Sequence, residues 1–277
     1  MSVGVTTRSI DGIRELYRYR SLLLALTGRD LRVRYAQSLL GFVWALALPL
    51  AMMLVFTFVF TKAINVSALW DLRMPYALFA YAGLVPWTFF ATSLNNCTLS
   101  LTANRSLVTK ISFPREVLPL SCIAGSLVDF CIALTVLFGL MFYCHGEGAF
   151  VLRPAPSWLF VPLIVLVQVL FTAGLGMILS AGHLYYRDVR PLFSVVIQLW
   201  MFLSGVVVPV PKDGSWAAEL LGWNPMLPVI SAYRSCLLAG TCPKVGDFAY
   251  AAAVSLSVFL LGWWGFRRAS RRFAEQI

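Results

Sequence analysis

The stretch that most limits what this chain can become is residues 39–61, LLGFVWALALPLAMMLVFTFVFT, 23 residues without a charge. About 20 apolar residues in a helix cover the hydrocarbon core of a bilayer, so this run is long enough to span. Directly before it, Arg29, Asp30, Arg32 and Arg34 crowd one short segment. Ionised side chains are costly at the bilayer centre. The order therefore reads as a charged surface element followed by entry into the membrane.

The pattern repeats. Runs at 74–97, 117–143, 158–184, 191–208 and 248–266 are nearly free of charge, and bring the expected number of spans to six. Composition agrees: 60% of residues are hydrophobic and 12% charged, whereas soluble domains carry about 25% charged residues. The expected fold class is an all-α polytopic membrane protein. It has a cytoplasmic N-terminus with an amphipathic interface helix (1–38), a six-span domain (39–266) and a basic tail (267–277). No apolar core precedes residue 21, so no cleaved signal peptide is expected.

Six spans put both termini on one side. Of the 22 Lys and Arg residues, 16 fall on that side and six on the other. Positive charge is retained in the cytoplasm, so both termini are expected there. The net charge of +10 is thus a topology signal and not a nucleic-acid surface.

Residues 208–247 are too long and too apolar for a plain loop, and Pro209, Pro211, Pro225, Pro228 and Pro243 break them up. Two short helices fit, near 216–221 and 227–238. They form either a re-entrant hairpin (about 211–243) or helices lying flat on the outer surface. Re-entrant backbone survives only where protein or water covers its polar groups.

The sequence carries none of the common catalytic and nucleotide motifs: there is no GxxxxGK[ST] phosphate loop, GxSxG, HExxH or calcium loop. His145 and His183 lie far apart. Cys97, Cys122, Cys131, Cys144, Cys236 and Cys242 form no CxxC pair; Cys144, Cys236 and Cys242 fall toward the outer side, where a disulfide is open. One carboxylate, Asp129, lies clearly inside a span. It serves either as a structural hydrogen-bond acceptor or in a transport path, and Arg234 is its expected charged partner. Aromatic stripes are the main interior feature: Phe42, Phe56 and Phe60 in the first span, Tyr76 and Trp87 in the second, Phe193 and Trp200 in the fifth. They read either as packing or as flat faces along a sugar path. The helix at 21–37, the connector (one short helix at about 98–115) and the YYRDVR turn at 185–190 together suggest a docking surface for a soluble partner.

Four segments taken together, RDLRVRYAQSLLGFVWALALPL (29–50), FPREVLPL (113–120), YRDVR (186–190) and NPMLPVISAYRSCLLAG (224–240), resemble type-2 ABC exporter permeases for polysaccharides and polyol phosphates. The likeness is greatest to the O-antigen and teichoic-acid branches and covers nearly the whole chain. It implies a homodimer in the bacterial inner membrane, in contact with membrane lipid. It also implies two copies of a separate ATPase that binds the ATP and Mg, with no cofactor in this chain. The cargo it implies is an undecaprenyl-diphosphate-linked glycan, moved along a channel at the dimer interface. Arg29, Asp30, Arg105, Lys110, Arg115 and Glu116 would contact the ATPase, and Arg32 and Arg34 would steer the diphosphate head group. A permease for another lipid or drug, and a membrane transferase acting on lipid-linked sugars, are the alternatives; the transferase would need an acid–base cluster at one membrane face, and the sequence offers none.

Overall fold

The computed structural model describes residues 17–36, 43–63, 74–111, 113–152, 155–208, 219, 221–270 and 273. Every regular element among them is helical. The α-helices are α1 (Arg20–Ala36), α2 (Val43–Phe58), α3 (Tyr76–Ala103), α4 (Arg105–Lys110), α5 (Val117–Gly146), α6 (Val161–Tyr185), α7 (Val189–Leu203), α8 (Met226–Arg234) and α9 (Val245–Ser270). A π turn extends α2 over Val59–Ala63 and another extends α8 over Ser235–Ala239, and a 3-10 turn at Pro156–Phe160 leads into α6.

Among the described residues, four helices are long and apolar enough to cross a membrane: α3, α5, α6 with its 3-10 turn, and α9. The first and fifth expected spans are also helical, but as the shorter apolar helices α2 and α7. Phe42 and most of the expected helix at 216–221 lie outside the described residues. The connector differs from expectation. Residues 98–103 are the last turn of α3, and Asn104 breaks the helix with φ −112° and ψ 33°, leaving α4 only six residues. The Asn104 amide competes with the helix ladder, since its Nδ2 donates to the Ser100 carbonyl at 2.9 Å.

α3 is the central post, buried on nearly every side between α2, α5, α6 and α8. α6 and α9 pack so closely that a Cβ on Gly174 would lie 2.5 Å from the Val258 carbonyl oxygen. One on Gly262 would lie 2.3 Å from the Gly174 carbonyl oxygen. Helices in lipid gain little from hydrophobicity and associate through such small-residue contacts.

A second apolar cluster closes the end of the bundle that carries the basic loops. It joins Leu26 of α1, Leu101 of α3, Val108 of α4, Val117 and Leu118 of α5, Met177 of α6, and Trp263 and Phe266 of α9. Of the expected basic tail, 267–277, residues 267–270 and 273 are described. α9 continues to Ser270, and Phe273 is fully buried in this cluster against Phe266 and Tyr185.

Gly174→Ala or Gly262→Ala is expected to force α6 and α9 apart and cost about 1–3 kcal/mol, the usual penalty of overpacking. Thermal melting of the purified protein checks this against Gly28→Ala, where a Cβ meets nothing within 4 Å.

Candidate translocation path and coupling surface

The expected path residues fall into two aromatic groups. In one, Phe56 and Phe60 of α2 and its π turn run onto Tyr76 and Phe79 at the start of α3, with successive ring centroids 6.2, 5.7 and 6.1 Å apart. Phe56 and Phe60 keep partly open faces, while Tyr76 is buried. In the other, the Trp200 indole stands edge-on to Trp87, Phe90 and Phe171, at 6.4, 5.3 and 6.1 Å. Trp87 and Phe90 are buried. Phe193 is buried on the same side of α7 as Ile197 and Met201. The opposite side of α7, with Leu192, Val195, Val196, Leu199, Phe202 and Leu203, is open. Phe171 and Phe79, which complete the two groups, were missed in the sequence because neither lies on a stripe chosen there.

Asp129 does not pair with Arg234. Its carboxylate accepts from the Arg34 guanidinium at 2.5 Å and from the Tyr35 hydroxyl. Helix geometry explains the correction. Phe130 is the α5 residue that faces α8, meeting the Tyr233 ring at 6.0 Å. Asp129 lies about 100° round the helix and looks toward α1. Burial and the adjoining carboxylate push the Tyr35 phenol up to about 12, so it stays a proton donor. The same two helices also meet at Thr27, whose hydroxyl reaches the Ser121 carbonyl at 3.4 Å. α1 therefore runs alongside α5 for about 12 Å, the length of the eight residues from Ser121 to Asp129.

Arg234 has a different set of partners. Its guanidinium donates to the carbonyls of Phe79 (3.1 and 3.2 Å), Gly205 (2.6 Å) and Val206 (2.7 Å). It also lies 3.6 Å over the Phe79 ring centroid. No carboxylate among the described residues contacts it. Gly83 makes room for it, since a Cβ there would sit 2.4 Å from the guanidinium. At the neighbouring residue, the Tyr233 hydroxyl donates to Gln168 Oε1 at 2.9 Å, and Gln168 Nε2 donates to the Pro86 carbonyl at 2.7 Å. Gln168 is a buried residue the sequence reading passed over; a lone amide in an apolar run was the available signal. These bonds and a shared apolar core fix α8 against α3 and α6.

The expected coupling residues make contacts of their own. Arg29 bonds Asp30 and reaches Asn104 Oδ1 at 2.8 Å, joining α1 to the α3–α4 break. Arg105 and Lys110 lie on exposed α4. Glu116 is buried and ion-paired with Arg267 of α9 at 2.7 Å. Arg115 donates to the Ser270 carbonyl and covers the Phe273 ring. Arg32 donates to the Gly28 carbonyl on its own helix. Cys144, Cys236 and Cys242 are free thiols. The described residues contain no cluster of His, Cys, Asp or Glu able to hold a metal ion.

Comparison with known proteins places this geometry in context. Residues 21–238 match the family described as ABC-2 type transporter. The chain is 32% identical over 270 residues to the "O-antigen export system permease protein RfbA" of Myxococcus xanthus, covering 96% of this chain and 98% of that protein. It is 31% identical to a protein of the same name from Klebsiella pneumoniae, covering 92% and 94%. It is 23% identical to the "Polysialic acid transport protein KpsM" of Escherichia coli, covering 86% and 89%.

Two substitutions separate the two charged contacts. Asp129→Asn is expected to loosen α1 from α5, raising hydrogen exchange in 20–36 while α3 and α6 stay protected. Arg234→Leu leaves three carbonyls without their charged donor and is expected to lower stability by about 2–3 kcal/mol, read as a fall in melting temperature.

Proposed function

The chain belongs to the ABC-2 type transporter family, and on that premise we propose that it is the permease subunit of an ATP-driven exporter of a lipid-linked polysaccharide, O-antigen. One observation carries the cargo: similarity to O-antigen export permeases extends over essentially the whole of both chains, while the polysialic acid transporter is more distant. The energy comes from a partner. The sequence has no phosphate loop, so two copies of a separate ATPase bind ATP and Mg and drive the permease.

In this reading all six apolar helices cross the inner membrane, with both termini in the cytoplasm. α2 gains length from its π turn. α8 belongs to a hairpin dipping in from the outer face. Its burial against α3 and α6 supports that reading, because such backbone needs protein cover. The basic end of the bundle meets the ATPase. Exposed Arg105 and Lys110 offer direct contacts. Arg29 and Asp30 tie α1 to the α3–α4 break, while Arg115 and Glu116 carry the load inward to α9.

Two copies of the chain enclose the path, each contributing α2 and α7. Phe56 and Phe60 present open ring faces to an undecaprenyl-diphosphate-linked glycan; Tyr76, Trp87, Phe193 and Trp200 form the packed wall behind. Arg32 and Arg34 flank the entrance and favour the diphosphate. ATP-driven closure of the partners displaces the bundle by shear of packed helices, and the polymer advances.

Co-reconstitution with the ATPase in vesicles loaded with lipid-linked O-antigen tests this. The wild type is expected to move glycan only with the ATPase and ATP present. Phe56→Ala is expected to reduce export severalfold with the complex intact; normal export by that variant would remove α2 from the path.

A further inference from the structure

α7 ends inside the apolar bundle. The last carbonyls of a helix have no intrahelical donor; here the Ser204 hydroxyl and backbone N–H take those of Trp200 and Met201, and donors to the carbonyls that follow come from other elements. Gly205 turns the chain with φ 67°, as glycine does after a helix end. Beyond that point Arg234 bonds the Gly205 and Val206 carbonyls, and the Tyr76 hydroxyl bonds the Val207 carbonyl at 2.8 Å. The Leu203 carbonyl is taken by Asn224, just before α8.

Asn224 uses both ends of its amide. Nδ2 donates to the Leu203 carbonyl at 3.0 Å and to Ser204 Oγ at 2.9 Å. Oδ1 accepts from the Trp200 indole N–H at 2.9 Å and from the Met226 backbone N–H at 3.0 Å. One side chain therefore caps the end of α7, starts α8 and fixes the ring orientation of Trp200, whose edge-on contacts with Trp87, Phe90 and Phe171 need that orientation. The sequence reading did not select Asn224. α7 begins at an exposed turn carrying Arg187, Asp188 and Arg190, and its fifteen residues give a stiff rod of about 22 Å between that turn and Asn224.

We propose that Asn224 is a positioning residue that makes α7 and α8 one mechanical unit, so that displacement at the 186–190 turn reaches the outer hairpin. This rests on the exporter reading. If Asn224 merely caps α8, the acceptor arm is enough, and Asp is as good a capping residue as Asn. If it couples the helices, the donor arm to α7 is what counts, and Asp has no such donor.

The test compares Asn224→Ala and Asn224→Asp in the complete complex with its ATPase, reading glycan exported per ATP hydrolysed. Both variants are expected to lower that ratio at least fivefold, with complex assembly and ATP hydrolysis close to wild type. A wild-type ratio in Asn224→Asp overturns the proposal and leaves Asn224 a helix cap. A fall in export and hydrolysis in step, tracking the amount of assembled complex, also overturns it. A second measurement is independent of transport: a melting-temperature cycle with Trp200→Phe, which keeps a ring and removes the indole N–H. The double variant with Asn224→Ala is expected to melt no lower than the worse single variant; fully additive shifts overturn the joint. A wild-type complex that exports no glycan defeats the exporter reading, and the melting cycle still decides the joint.

Discussion

A helix that stops within an apolar bundle must find donors for its last carbonyls, and α7 stops there. Water supplies such donors in a soluble protein; hydrocarbon does not. The solution here is a ring of side chains: Asn224 takes the Leu203 carbonyl at the helix end, and Arg234 and Tyr76 take those of Gly205, Val206 and Val207 in the buried segment just beyond it. Much else follows from this requirement. Arg234 must reach across, so Gly83 must lack a side chain. α8 must stay beside α3, so Tyr233 bonds Gln168 and Gln168 bonds Pro86. A cation that meets no carboxylate among the described residues is tolerable because carbonyl oxygens and the Phe79 ring surround it.

The opposite end of the bundle is held by different physics. There an apolar cluster gathers residues from α1, α3, α4, α5, α6 and α9. The Glu116–Arg267 ion pair beside it ties α5 to α9, and Arg34–Asp129, farther along α5, ties α1 to α5. A small helix such as α4 has little intrinsic stability; helices this short are marginal alone. Packing of Val108 into the cluster and the Arg29–Asn104 bond give it a fixed place. A load applied at this end thus meets a connected body rather than a loose loop.

The sequence made much of this legible. Uncharged runs of the right length fall where the apolar helices stand, because charge is costly in hydrocarbon and its absence is easy to see. The four motif segments carried the family. What escaped were relations across the bundle. Whether Asp129 faces α1 or α8 depends on a rotation of about 100° per residue, and no charge pattern fixes that angle. Asn224 looked like an ordinary residue before a proline. Gln168 and Phe171 acquire meaning only once α3, α6 and α8 are neighbours. The connector was drawn too long because Asn104 can end a helix without proline or glycine. Burial of Phe273 was hidden behind the basic residues around it.

The central claim is that two copies of this bundle frame a glycan path powered by a separate ATPase. The most direct measurement is a structure of the membrane-extracted complex, with the ATPase and lipid-linked glycan present. The account predicts two copies of the chain, two of the ATPase at the basic end, and glycan density between the copies beside Phe56 and Phe60. A single copy without an ATPase, or glycan seated on the outer surface of the bundle instead, would contradict it.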